Sequence, residues 1–201
     1  MKTTRHLDLG CGPVPRNPYG RDELFGVDLS GTLDGGSIRR ANLVTQPIPF
    51  EDGSFDSVSA YDFLEHVPRV FPTADGAGTR FPFIELMNEV WRVLKHDGLL
   101  YAVTPVYPSK AAFMDPTHVN IMTADTHTYF TQPLRMAAMY GFTGDFVVQR
   151  VQLTRPDPRR AYIDPPRGWL EKLQLAHRIR RGACGHLIWE FRAVKPSPQH
   201  A

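Results

Sequence analysis

Small polar clusters follow the β-prone runs of this chain, and their residue types suit chemistry. Gly10-Cys11-Gly12 comes after HLDL, where glycines let the backbone turn tightly and approach a ligand with no Cβ in the way. Asp28 closes a second run, LFGVDL, as an acid placed to accept hydrogen bonds from ribose hydroxyls. Asn42 follows a weak third run at 38–41, and its amide can both donate to and accept from an adenine edge. Tyr61, Asp62 and His66 follow FDSVSA. Asp115-Pro116-Thr117-His118 lies beyond LLYAVT and Thr104-Pro105. Histidine titrates close to neutral pH, so it can take the proton of a reacting hydroxyl. His118 is the candidate base, with Asp115 either orienting it or capping the turn before Pro116. His66 is expected to pack or hydrogen-bond near the same place, and His127 to lie on the surface.

These clusters need a scaffold, and the sequence supplies its elements. The runs at 6–9, 24–29, 55–60 and 99–104 are short, β-prone and bounded by turn residues, as strands are. Between the last two, FIELMNEVWRVLK repeats Ile84, Met87, Val90, Trp91 and Leu94 at helical spacing, which predicts a helix over 83–95 that HDG stops. A second helix is expected over 124–140, with Gly141 as its stop. Two more strands follow, FVVQRVQL at 146–153 and LIWEFRAV at 187–194. Strands alternating with helices, then two late strands, indicate a mostly parallel α/β sheet with an antiparallel edge strand. Its ligand site belongs beyond the carboxyl ends of the strands, where the polar clusters fall. The chain reads as one domain over 1–201. A Pro-rich basic insertion at about 155–186 includes a short helix over 169–181, with Trp169, Leu170, Leu173, Ala176 and Ile179 on one broad face.

One element is missing. A parallel crossover normally carries a helix, yet the link after the first strand reads GCGPVPRNPYG. Proline fixes φ and removes a backbone donor, so Pro13, Pro15 and Pro18 forbid a normal helix start at Gly12. At most a turn is expected over 21–24.

LDLGCG, GVDLS, PFEDGSFDSVSAYDFLEHV and EVWRVLKHDGLLYAVTP, in this order, resemble the class I S-adenosylmethionine-dependent methyltransferases, most closely the small-molecule branch called type 11. The likeness covers roughly residues 5–142. The GCGP turn and DPTHVNIMTADTHTYF are similar to a subgroup in which an irregular link replaces the first helix. The resemblance implies a Rossmann-like fold and S-adenosylmethionine as cofactor. Asp8, Gly10 and Gly12 would frame its methionine end, Asp28 would take the ribose, Asn42 and Leu43 the adenine, and Tyr61 would close the pocket. Cys11 and Leu29, inside the same two turns, are placed with them.

Composition narrows the remaining options. A formal charge of +2 over 201 residues gives no global argument for nucleic acid or an anionic surface. Cys11 and Cys184 have no metal-site spacing, so no metal and a reduced, cytoplasmic setting are expected. No apolar run approaches the roughly 18 residues of a membrane span. DPP at 164–166 resembles part of a DNA-methylase signature, but it sits in a late loop, where a proline turn is the simpler reading. Methyl transfer to a small-molecule or sugar-type acceptor is expected, oxygen slightly preferred over nitrogen. The alternatives are an inactive methyltransferase-like binding or assembly module and, further back, an RNA or DNA methyltransferase.

Overall fold

The computed structural model describes residues 3–31 and 36–196. Its elements in chain order are β1 (Arg5–Leu9), β2 (Glu23–Asp28), β3 (Ile38–Arg40), β4 (Phe55–Tyr61), the two-residue strands β5 (Phe71–Pro72) and β6 (Thr79–Arg80), α1 (Pro82–Val93), β7 (Leu94–Pro105), β8 (Phe146–Thr154), α2 (Trp169–Arg180) and β9 (His186–Ala193). Seven strands form one sheet in the order β3-β2-β1-β4-β7-β9-β8, and β5 pairs with β6 as a separate ribbon. Every pairing from β3 across to β7 is parallel. The antiparallel pairings are confined to the far edge, where β9 inserts between β7 and β8.

Side chains alternate across a strand, and here the alternation divides the sheet into two unlike faces. Leu7 and Leu9, Val58 and Ala60, Leu100 and Ala102, and Leu187, Trp189 and Phe191 belong to the main hydrophobic core. Helix α1 supplies Phe83, Leu86, Met87, Val90 and Val93 to that core, in the spacing that one buried helical stripe requires. Pro82 starts it at a position where a missing N–H costs nothing.

The register sets His6 beside Ser57, Asp8 beside Ser59, and Ser59 beside Tyr101 on the opposite face. Tyr101, Val103 and Ile188 form a second cluster there, closed by Tyr19, Tyr61, Tyr162 and Ile163. No helix runs between β1 and β2. The link is pinned from beneath, because the Arg16 amide donates to Asp8 Oδ2 (2.8 Å). Asn17 exchanges hydrogen bonds with the Arg21 backbone (2.8 and 3.0 Å). Tyr19 Oη donates to Glu190 (2.8 Å), and its ring meets Tyr101 and Tyr162 at 6.2 and 5.8 Å. Tyrosines from the link and from the insertion thus cover the face that a crossover helix would have covered.

That layer needs a polar floor, and β1 and β4 provide one. Ser59 Oγ donates to Asp8 Oδ1 (2.6 Å), so its oxygen accepts from His6 Nε2–H (2.8 Å). Ser57 Oγ–H then donates to His6 Nδ1 (2.7 Å). Burial, aided by the Arg21 charge, lowers the His6 pKa to about 3, in keeping with a neutral ring.

Two helical expectations change. Over 124–140 there is no α-helix, only 3-10 turns at Thr126–Tyr129 and Met136–Tyr140. Pro133 breaks the ladder, Arg135 turns left-handed (φ 43), and Thr128 and Thr131 bond their hydroxyls to the Asp125 and His127 carbonyls. Helix α2 forms almost as expected, but none of its residues is buried, and Trp169 is 70% exposed. Among the described residues, no helix is long and apolar enough to cross a membrane.

Candidate active site

The first strand ends in a turn that closes onto the second. The Gly10 amide donates to the Val27 carbonyl (2.8 Å), and Gly12 N–H donates to Asp28 Oδ2 (2.9 Å). Both glycines have positive φ, +62° and +58°, where an L side chain is strained. A Cβ on Gly10 would lie 2.5 Å from the Phe63 ring, whereas the space beside Gly12 is open. Cys11 Sγ–H donates to the Gly12 carbonyl (3.2 Å), and burial, with Asp8 and Asp28 close by, pushes its thiol up to about 12.

Asp28 Oδ1 accepts from the Ser30 amide (2.9 Å) and hydroxyl (2.7 Å). Burial works against its charge, but the hydrogen bonds from Ser30 and Gly12 outweigh it and hold the carboxyl below its ordinary range. Among the described residues only Gly12 N–H reaches Oδ2, so the partly exposed carboxylate keeps acceptor capacity for a ligand hydroxyl. Leu29 stands beside it, 63% exposed. Asn42 is exposed, and its Oδ1 is held by the Val44 amide (3.1 Å), which leaves the NH₂ side for a ring nitrogen. The Leu43 side chain is buried in the core, so only its backbone can reach a ligand.

Asp8, expected to frame the ligand, is a buried residue. It is 2% exposed and engaged by Ser59 and by Arg16 N–H, and burial pushes its pKa up to about 6. What it holds is the link, and the link presents Arg16, whose guanidinium lies 4.4 Å over the Tyr61 ring. Tyr61 Oη donates to the Ala161 carbonyl in the insertion. Burial raises the pKa of this phenol, with Tyr101 and Asp8 adding to the effect. Sequence reasoning missed Arg16, because nothing local marks one arginine in a proline-rich link.

The second half of the site is a pocket of about 520 Å³ beyond β4, β7 and β9, lined by Asp62, Glu65, His66, Pro105, Met114, Asp115, His118 and His186 among others. His118 lies in it, its ring edge-on to His66 with centroids 4.8 Å apart. Asp115 Oδ2 is 3.9 Å from His118 Nε2, beyond hydrogen-bond reach. Asp115 Oδ1 instead accepts from the Thr117 amide (2.8 Å) and hydroxyl (2.6 Å), bonds that hold its carboxyl below the usual range. His186 Nε2 stands 3.3 Å from Asp62 Oδ1, and Asp62 is left-handed (φ 46). Glu65, 2% exposed, was not read from the sequence; burial pushes its carboxyl up to about 7. His127 lies away from this pocket, half-buried, with Nδ1 bonded to the Ala124 carbonyl (2.8 Å).

Residues 7–102 match the family model described as a methyltransferase domain. Solved structures share the fold at low identity. A SAM-dependent methyltransferase from Archaeoglobus fulgidus superposes with TM-score 0.53 at 15% identity, covering 94% of this chain and 86% of that one. An S-adenosylmethionine-dependent methyltransferase from Mesorhizobium loti gives 0.50 at 17%, covering 94% and 91%. The [4+2]-cyclase SpnF gives 0.52 at 16%, covering 96% and 76%, so the fold alone does not dictate the reaction. No curated protein matches the chain at a significant level.

Proposed function

We propose that this chain is a class I S-adenosylmethionine-dependent methyltransferase that transfers the methyl group to a hydroxyl of a small-molecule or sugar-type acceptor, a reading supported by the methyltransferase-domain match over residues 7–102. The residues present suit the cofactor. Asp28 has spare acceptor capacity for its ribose hydroxyls, and Leu29 and Asn42 flank that position for the adenine. The open side of Gly12 leaves room for the amino-acid end, and the Arg16 guanidinium over Tyr61 supplies a cation for a carboxylate. When bound, the cofactor supplies a methyl group already activated by positive sulfur.

The chain's own task is then alignment and proton removal, and alignment alone is worth several kcal/mol. The observation that carries the oxygen-acceptor reading is the small pocket beyond Tyr61 and Asp62, with three imidazoles in its wall. A hydroxyl must lose its proton as it attacks, and His118 is the group we assign to receive it, with His186 opposite. Ala111, Met114 and Pro105 give the pocket its apolar walls. Asp115 acts through the turn that presents His118, since it bonds Thr117. Within the basic insertion, Arg160 lies near Asp157 and Asp164, and Arg167 near Asp164.

The test is turnover. The protein is incubated with S-adenosylmethionine and a panel of glycosides, other alcohols, amines and oligonucleotides, with S-adenosylhomocysteine and product mass as readouts. Methylated alcohols, lost in His118→Asn while cofactor binding persists, are expected. Turnover confined to amines or oligonucleotides contradicts the assignment.

A further inference from the structure

The acceptor pocket contains a set of metal-ligand atoms. Glu65, His66 and His118 each offer one oxygen or nitrogen, and the three atoms lie within 4.8 Å of one another. Two members of the set are orphaned. Glu65 is 2% exposed, yet among the described residues its Oε1 has no partner, and His118, its side chain 9% exposed, likewise has an unpartnered Nδ1. Native structures pair nearly all buried polar atoms, so two orphans in one cluster call for an occupant.

The surroundings hold this set in place. Glu65 Oε2 accepts from Thr104 Oγ1–H (3.1 Å), and its backbone carbonyl accepts from the Val119 and Asn120 amides (both 2.9 Å). The segment that carries His118 is thereby fastened to the turn that carries Glu65 and His66. Thr117 Oγ1 donates to Asp115 (2.6 Å), so it accepts from His66 Nδ1–H (3.0 Å), which leaves His66 Nε2 with a lone pair. Fixing a histidine tautomer through the other ring nitrogen is how outer groups prepare a metal ligand.

We infer that Glu65, His66 and His118 bind a divalent transition-metal ion, for which two imidazoles and one carboxylate beside an open pocket are the donor set of a reactive zinc site. The carboxylate and imidazole suit zinc better than magnesium or calcium, which prefer oxygen throughout. The part given to the ion rests on the proposed function: its open position receives the acceptor's oxygen. The acceptor O–H bond then breaks with its proton passing to His186, the O–C bond forms, and the S–C bond to the departing thioether breaks. With the ion seated, His118 is a ligand and the proton falls to His186, whose partner Asp62 is 3.3 Å away.

The experiment is calorimetric titration of chelator-treated, full-length protein with zinc chloride, repeated with cobalt to read the visible bands of a bound ion. Glu65→Gln, His66→Asn and His118→Asn are titrated beside it, folding being checked by circular dichroism. His66 is half-exposed, so its variant keeps the test open if the buried Glu65 does not tolerate change. Saturation at one equivalent is expected, weakened roughly 100-fold or more in each folded variant, since even outer-shell changes cost about 10–100-fold. No saturable binding at millimolar zinc, or binding that every folded variant retains, overturns the inference. Titration with S-adenosylmethionine separates it from the reading on which it rests. Cofactor binding by a protein that takes no zinc overturns the metal site alone, and zinc binding without cofactor binding supports the metal site while removing its catalytic part.

Discussion

Asparagine at position 8 separates the charge of the buried carboxylate from its hydrogen bonds. Asp8 accepts from Ser59 (2.6 Å) and from the Arg16 amide (2.8 Å), and burial raises its pKa from 3.8 to about 6. A raised carboxyl pKa means that its stabilising contribution is complete below pH 3.8 and is lost as pH rises through about 6. Across the whole window the shift amounts to about 3 kcal/mol, and between about pH 5 and about pH 7.5 to about 1.4 kcal/mol. Asp8→Asn loses one of the two hydrogen bonds and sets an NH₂ against a donor, a cost of about 1–3 kcal/mol at any pH. The net destabilisation by Asp8→Asn is therefore expected to be about 1.4 kcal/mol smaller at about pH 7.5 than at about pH 5. His6 titrates in both proteins, so its effect, a loss of stability as pH falls from 6.5 toward about 3, drops out of the difference. Urea denaturation of both proteins at the two pH values measures it. A difference below about 0.5 kcal/mol refutes the claim that Asp8 is a buried, charge-penalised anchor for the link.

Gly10→Ala combines a φ of +62° with a Cβ 2.5 Å from Phe63, so unfolding in urea is expected to show a loss on the order of 2 kcal/mol or more. Two tryptophans test the two faces of the fold. Trp189→Ala empties a fully buried site packed against Phe130 and Phe191 and is expected to cost about 3–5 kcal/mol in the same assay. Trp169→Ala, on the exposed helix α2, is expected to change stability by no more than about 0.5 kcal/mol.

The sheet and α1 were legible because their signals are local: short β-prone runs bounded by turns, and Met87 and Val90 recurring at helical spacing, although Leu94, read as the end of that stripe, begins β7. Gly10, Gly12 and Asp28 were singled out for the same reason, since they sit where strands end. A helix was expected over 124–140 with Gly141 as its stop, but Pro133 and the threonine hydroxyls decide that segment. The polar face left a trace in the alternation of His6 with Asp8 and of Ser57 with Ser59 and Tyr61. A reading of strands by β-propensity passes over that alternation. Tyr19 and Tyr162 meet across a long stretch of chain, and no local pattern announces such a pairing. Leu43 was placed with the adenine, yet its side chain follows Ala41 inward to the core. Glu65 was not singled out in the sequence, because an unpartnered buried oxygen is a property of the packed structure alone.

The most direct test is calorimetric titration of the wild type and Asp28→Ala with S-adenosylmethionine and S-adenosylhomocysteine. Micromolar binding to the wild type, weakened about 10–100-fold in the variant by loss of a charged acceptor for the ribose, is the expected result. A well-folded wild type that binds neither ligand at millimolar concentration, or a variant that binds as tightly as the wild type, contradicts a cofactor site built on Asp28 and the helix-free link.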